Sequence, residues 1–154
     1  MISGVDVIDL IVNEDDRGSL TVLARSFNDT RPNGVIKDFG EVYLVSNPSR
    51  GTIRAFHKHD QLWDFFIIVL GSAKFVLKDD RPDSLTYGEM NTVVTSGRQP
   101  RLIAVPPGVF HGWMSLEDQT QLISIASHIY NREKTDEVRI SPDSFGDVWT
   151  VQGR

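Results

Sequence analysis

The sequence predicts an all-β fold, two packed sheets forming a sandwich or barrel. Three observations carry this expectation. Apolar and β-branched runs recur about every ten residues, residues that favour turns stand between them, and no window of helical length keeps a 3.6-residue apolar period. At 154 residues and 40% apolar content, one domain spanning residues 1–154 can bury a real core.

In chain order the expected strands are Val5–Val12, Leu20–Ala24, Val42–Val45, Ile53–Phe56, Phe65–Leu70, Lys74–Leu77, Thr92–Val94, Leu102–Val105 and Leu122–Ala126. Asp16-Arg17-Gly18 separates the first two, and Glu14-Asp15-Asp16-Arg17 reads as a solvated turn. Arg31-Pro32-Asn33-Gly34 and Asn47-Pro48-Ser49 bracket the third. Phe65–Leu70 and Ala73–Leu77, around Gly71-Ser72, predict a hairpin whose first arm is apolar on both faces and so lies inside two packed sheets. Arg81-Pro82-Asp83 and Pro106-Pro107-Gly108 close the next runs. In each case glycine supplies positive φ, proline a fixed φ, and Asn or Asp a side-chain bond to its own backbone. Tyr130–Val138, rich in charge, predicts one or two minor C-terminal helical turns. Asp79-Asp80-Arg81 reads as a salt-bridged surface turn, worth about 0–1 kcal/mol. Trp63, Trp113 and Trp149 read as packing aromatics, and His128 as an exposed strand-end residue.

The net charge of −5 argues against a general affinity for phosphate backbones, so no nucleic acid is expected as a partner. An anionic ligand must be met by a few placed arginines. With no cysteine, disulfides, thiolate metal sites and a cysteine nucleophile are excluded. No segment reaches the roughly 18 apolar residues needed to cross a bilayer, and no N-terminal stretch has the make-up of a signal peptide. A soluble, cytoplasmic protein is expected.

Three of the four histidines fall in two short segments, Gly51-x5-His57-x-His59-x4-Asp64-x6-Gly71 and Pro106-x-Gly108-x2-His111. Two histidines one residue apart on a strand share a face, because side chains alternate with period two. They either bind something together or share a proton-transfer task.

These two segments resemble the paired motifs of the cupin superfamily, with Asp64 where a Glu is usual, and the resemblance implies a double-stranded β-helix, or jelly-roll barrel. Asp16-Arg17-Gly18, Ile53-Arg54-Ala55-Phe56-His57, Asp80-Arg81-x-Asp83-Ser84-x-Thr86-Tyr87-Gly88 and Ile103 through Trp113 are similar to the dTDP-4-dehydrorhamnose 3,5-epimerase group, over roughly residues 15–130. That resemblance implies an isomerase of deoxysugar and polysaccharide biosynthesis that binds a nucleotide-diphosphate sugar, needs no cofactor and works as a homodimer. It implies proton abstraction beside a C4 ketone, with His57 as base, Arg17 and Arg54 on the diphosphate, His111 near the sugar, and Tyr130 as a binding aromatic.

The departures are as specific. Ser124 stands where the family has its acid tyrosine, Asp64 where it has a lysine, and no C-terminal aspartate matches the one that pairs with the catalytic histidine. His59 is extra, and the His-x-His segment resembles the sugar-nucleotide 3,4-ketoisomerases, in which two histidines move a proton between adjacent carbons. There Asp64 would orient His59. Two further readings remain: a metal-dependent cupin, with an ion held by His57, His59, Asp64 and His111, and a sugar-nucleotide-binding module without turnover.

Overall fold

The computed structural model describes residues 1–26, 35–36 and 39–151. The expected turn Arg31-Pro32-Asn33-Gly34 lies outside the described residues. Among them there is no helix, and fourteen strands follow in order. β1 is Asp6–Asp9, β2 Val12–Asp15, β3 Gly18–Thr21, β4 Arg25–Ser26, β5 Val35–Ile36, β6 Glu41–Asn47 and β7 Ile53–His59. β8 is Asp64–Leu70, β9 Ser72–Asp79, β10 Met90–Ser96, β11 Arg101–Val105, β12 Val109–Ser115, β13 Thr120–Ala126 and β14 Glu137–Arg139.

Two five-stranded sheets make the barrel, one in the order β1-β11-β8-β13-β6 and the other β10-β9-β12-β7-β14. Phe66, Ile68, Phe75, Leu77, Val105, Trp113 and Leu122 fill the space between them. The other faces are covered as well. Phe65, Ile67 and Leu102 pack under Ile8, Leu10 and Leu23 of the N-terminal segment. Phe56, Val76, Phe110 and Met114 pack against Phe145, Val148 and Trp149 of the C-terminal segment. Strands covered on both faces read as continuous apolar runs, and each fully buried large side chain contributes about 1.5–3 kcal/mol.

Four expectations are corrected. Phe65–Leu70 and Ala73–Leu77 do not pair as a hairpin: β8 lies in the first sheet and β9 in the second. Each arm needs two covered faces, so the chain crosses between sheets at Gly71, whose φ is 73°. A Cβ there would lie 2.5 Å from Thr120 Oγ1, so the crossing requires glycine. The C-terminal helical turns do not form; Tyr130–Val138 runs as irregular chain into β14, which completes the second sheet. Val109–Ser115, expected only as a motif after a turn, is a fully buried strand. Asp79 is 1% exposed rather than part of a surface turn.

Candidate active site

His57 lies opposite His111 in the β7–β12 ladder, and the next matched pair is Arg54 with Trp113. Three steps along β7 therefore span two along β12, so β7 carries one extra residue, a bulge. The bulge brings Arg54 to the face of His57, although their sequence parity is opposite. Both line a cavity of about 460 Å³, together with Tyr43, His59, Asp64, Phe66, His111, Trp113, Glu137 and Arg139.

His57 and His59 share the inward face, as the alternation predicts. Lys58 points the other way, to Asp80 at 2.6 Å and over the Phe110 ring. The Gly108 N–H donates to the His59 carbonyl at 2.7 Å, clamping the turn before β12 against the end of β7. The His111 ring centroid lies 6.2 Å from that of His57 and 5.9 Å from that of His59.

Carboxylates partner these rings. Glu137 Oε1 binds His57 Nδ1, and Arg139 donates to Glu137 Oε2 at 2.7 Å. Burial would raise the Glu137 carboxyl, but the bonds from His57 and Arg139 outweigh it and hold it below the ordinary carboxylate value. Asp64, nearly buried, places Oδ2 3.4 Å from His59 Nε2 and 3.3 Å from His111 Nε2. His111 Nδ1 lies 3.1 Å from the Val109 carbonyl, which fixes that nitrogen as a donor. Burial lowers the His59 imidazole, with Asp64 opposing, so this ring favours its neutral form. Asp136, 3.8 Å from His59 Nδ1, accepts from the backbone N–H groups of Asp60, Gln61 and Leu62.

Arg54 is fixed by a bond from Nε to Asn47 Oδ1 at 2.8 Å, and Arg139 stands opposite His57 in the β14–β7 ladder. Two guanidinium groups thus enter one cavity, a suitable grip for a diphosphate. An imidazole aligned by a carboxylate on one nitrogen is equipped to take a proton at the other.

Of the residues expected from sequence, His57, His59, Asp64, His111 and Arg54 come together here. Arg17 does not: it sits on the projecting β2–β3 hairpin, its side chain 86% exposed and paired with Asp15. Tyr130 lies outside too, lining a smaller adjoining pocket of about 90 Å³ with His59 and Asp136. Three of the four residues of the metal reading come together as a candidate ligand group. The ligand atoms of His59, Asp64 and His111 lie within 4.8 Å of one another, while His57 stands beside them with Nδ1 bonded to Glu137. Tyr43, Glu137 and Arg139 were not found from sequence. The alternation of Tyr43 with Val45 is the signal available for the first; Glu137 and Arg139 become a strand only by pairing with β7. His128 is exposed, as expected.

Residues 1–153 match the family model for dTDP-4-dehydrorhamnose 3,5-epimerase. The chain is 34% identical over 158 residues to a spore coat polysaccharide biosynthesis protein of Bacillus subtilis, covering 100% of both. It is 34% identical over 144 residues to a probable low-salt glycan biosynthesis epimerase of Haloferax volcanii, covering 92% of this chain and 89% of the other. Among solved structures, a dTDP-4-dehydrorhamnose 3,5-epimerase of Elizabethkingia anophelis superimposes with a TM-score of 0.83 at 20% identity, over 98% of this chain and 84% of that one. A sugar 3,4-ketoisomerase of Thermoanaerobacterium thermosaccharolyticum gives 0.69 at 24% identity, over 91% and 90%. These structural likenesses confirm the jelly-roll fold. With the full-length family match beside them, the chain belongs to the dTDP-4-dehydrorhamnose 3,5-epimerase family of isomerases.

Proposed function

We propose that this protein is an epimerase of a nucleotide-diphosphate-linked 4-keto-6-deoxyhexose, removing a proton from a carbon beside the C4 ketone with His57 as base. The observation that carries it is the His57–Glu137 pair inside a cavity that also holds Arg54 and Arg139. The ketone makes the neighbouring C–H acidic because the carbanion delocalises into an enolate. Glu137 orients the imidazole and stabilises its protonated form, while the arginines hold the diphosphate and His111 contacts the sugar. The relatives named for spore coat polysaccharide and glycan biosynthesis support a role in polysaccharide biosynthesis, and a cytoplasmic enzyme is part of this reading.

Incubation with dTDP-4-keto-6-deoxyglucose in D2O should introduce deuterium at C3 or C5 and give an epimer that keeps its ketone at C4. Absence of any exchange rejects the proposal. His59 beside Asp64 in the same cavity favours a second reading, a 3,4-ketoisomerase, for which product NMR would show the ketone at C3 instead.

Two copies working together account for the hairpin. Ile11, Leu20 and Val22 are exposed around β2 and β3, and so are Val42 and Leu44 on the edge strand β6. A homodimer that covers these residues would carry Arg17 towards a neighbouring copy. Sedimentation at micromolar concentration tests it, a monomeric mass being the adverse result.

A further inference from the structure

We infer that Tyr43 is the acid that returns the proton, delivering it to the face of the sugar opposite His57. This rests on the epimerase reaction proposed above. Base and phenol stand on different walls: His57 is on β7 of the second sheet, whereas Tyr43 is on β6, the edge strand of the first. A substrate held between the sheets meets one group on each face, as inversion at a single carbon demands. Three tyrosines occur in the chain, and Tyr43 is the one that lines the cavity.

The ladder shows how the phenol comes to be there. Tyr43 pairs with Ser124 on β13, and Ser124 pairs with Phe66 on β8. That row leads inward along the first sheet from its β6 edge to the Phe66 ring, which lies 5.3 Å from His111. Ser124 is fully buried, and its hydroxyl, which has no partner of normal hydrogen-bond geometry, faces the Tyr43 phenol. Tyr43 itself is 44% exposed, its ring at the mouth of the cavity. Burial raises the phenol above its ordinary value; the Ser124 hydroxyl opposes this, and the negative charges of Asp64, Glu41 and Glu137 add to it. Like any phenol that is not depressed far below its ordinary value, it carries its proton at neutral pH, as an acid must.

The step balances without a further reagent. His57 takes the C–H proton and the bonding pair moves into the ketone, giving an enolate. The Tyr43 O–H bond then breaks and its proton forms the new C–H bond from the other side, which restores the ketone. Imidazolium and phenolate remain, and transfer of one proton between them through solvent resets the site.

The full-length chain, dTDP-4-keto-6-deoxyglucose and D2O provide the test. Y43F should lose at least about a hundredfold in epimer formation, while exchange of deuterium at the same carbon persists with retained configuration, because His57 still removes and returns the proton. The parent melting temperature should be kept. Y43F/S124Y, which presents a phenol from the paired strand, should regain at least tenfold over Y43F, on the order of 1.4 kcal/mol. A Y43F enzyme that epimerises at the parent rate overturns the assignment. So does one in which exchange falls in step with product, which would make Tyr43 a support of the whole site. A parent enzyme with no exchange overturns the underlying reaction instead, and the two failures are told apart by the parent alone.

Discussion

Glu137 reaches His57 diagonally across the β14–β7 ladder: in register Glu137 pairs with His59 and Arg139 with His57, yet the carboxylate bonds to His57 Nδ1. A strand of three residues thereby aligns the imidazole and leaves its other nitrogen to the cavity. E137Q keeps the shape and removes the charge that stabilises the protonated ring. The turnover number should fall by about 10²–10⁴ with KM changed only a few-fold. Steady-state kinetics decide it, and an unchanged turnover number would remove Glu137 from the mechanism.

Arg54 and Arg139 should act on binding rather than on the chemical step. Hydrogen bonds to charged groups are worth about 1.5–3 kcal/mol, so R54A should raise KM by roughly ten- to a hundredfold. R54K should recover little of this, because an ammonium cannot reproduce the fork that bonds Asn47 and still faces the ligand. Full recovery by lysine would show that the arginine supplies only charge.

What was legible in the sequence follows from period and parity. The His57/His59 pair was readable because two-residue spacing on a strand fixes the face, and both rings do line the cavity. Arg54 was readable only with a bulge, which the β7–β12 register supplies. Glu137 was not readable: its segment has charge but no apolar run, and only pairing with β7 makes it a strand. β12 was missed for the opposite reason, since a strand buried at every position shows no alternation, and Gly112 interrupts its apolar run. The false hairpin at Gly71 shows that adjacency in sequence does not reveal which sheet a strand joins.

Stability should fall in two stages as pH decreases. Burial depresses the His59 imidazole from its ordinary 6.5, so below about that pH the unfolded chain gains a proton that the folded chain resists, and stability declines. Glu137 is depressed from its ordinary 4.5, so its contribution is fully present above that value and is lost as pH falls through the lower folded one. Melting temperatures between pH 8 and about 3.5 should show both stages. H59Q should remove the upper one; if it persists, His59 is not its source.

Asp79 should be structural. Its buried carboxylate accepts from Arg81 at 2.8 Å, Ser84 Oγ at 2.7 Å and Thr86 Oγ1 at 2.6 Å, and Arg81 in turn donates to the Ser3 carbonyl at 2.6 Å. The Arg81 guanidinium, with the two hydroxyls, holds the carboxyl far below its ordinary range. D79N should cost about 2–3 kcal/mol in urea unfolding and loosen the N-terminal segment. A loss under half a kcal/mol would mean that the turn is indifferent to the charge.

Gly112 should couple stability to the site. A Cβ there would stand 2.3 Å from the Ala55 Cβ, 2.9 Å from the Ala55 Cα and 3.0 Å from the Arg54 carbonyl oxygen. The last two are backbone atoms of β7, so a rotamer change cannot relieve them; β7 and β12 must separate beside the bulge that aims Arg54 and His57. Overpacking of this kind costs about 1–3 kcal/mol, and a shift of about 1 Å in reacting groups can reduce the rate a hundredfold. G112A should therefore lower both the melting temperature and the turnover number. A55G/G112A, which removes the shortest contact and leaves the backbone ones, should recover only part of each. If G112A is as stable and active as the parent, the close approach of the two strands does not set the geometry of the histidines.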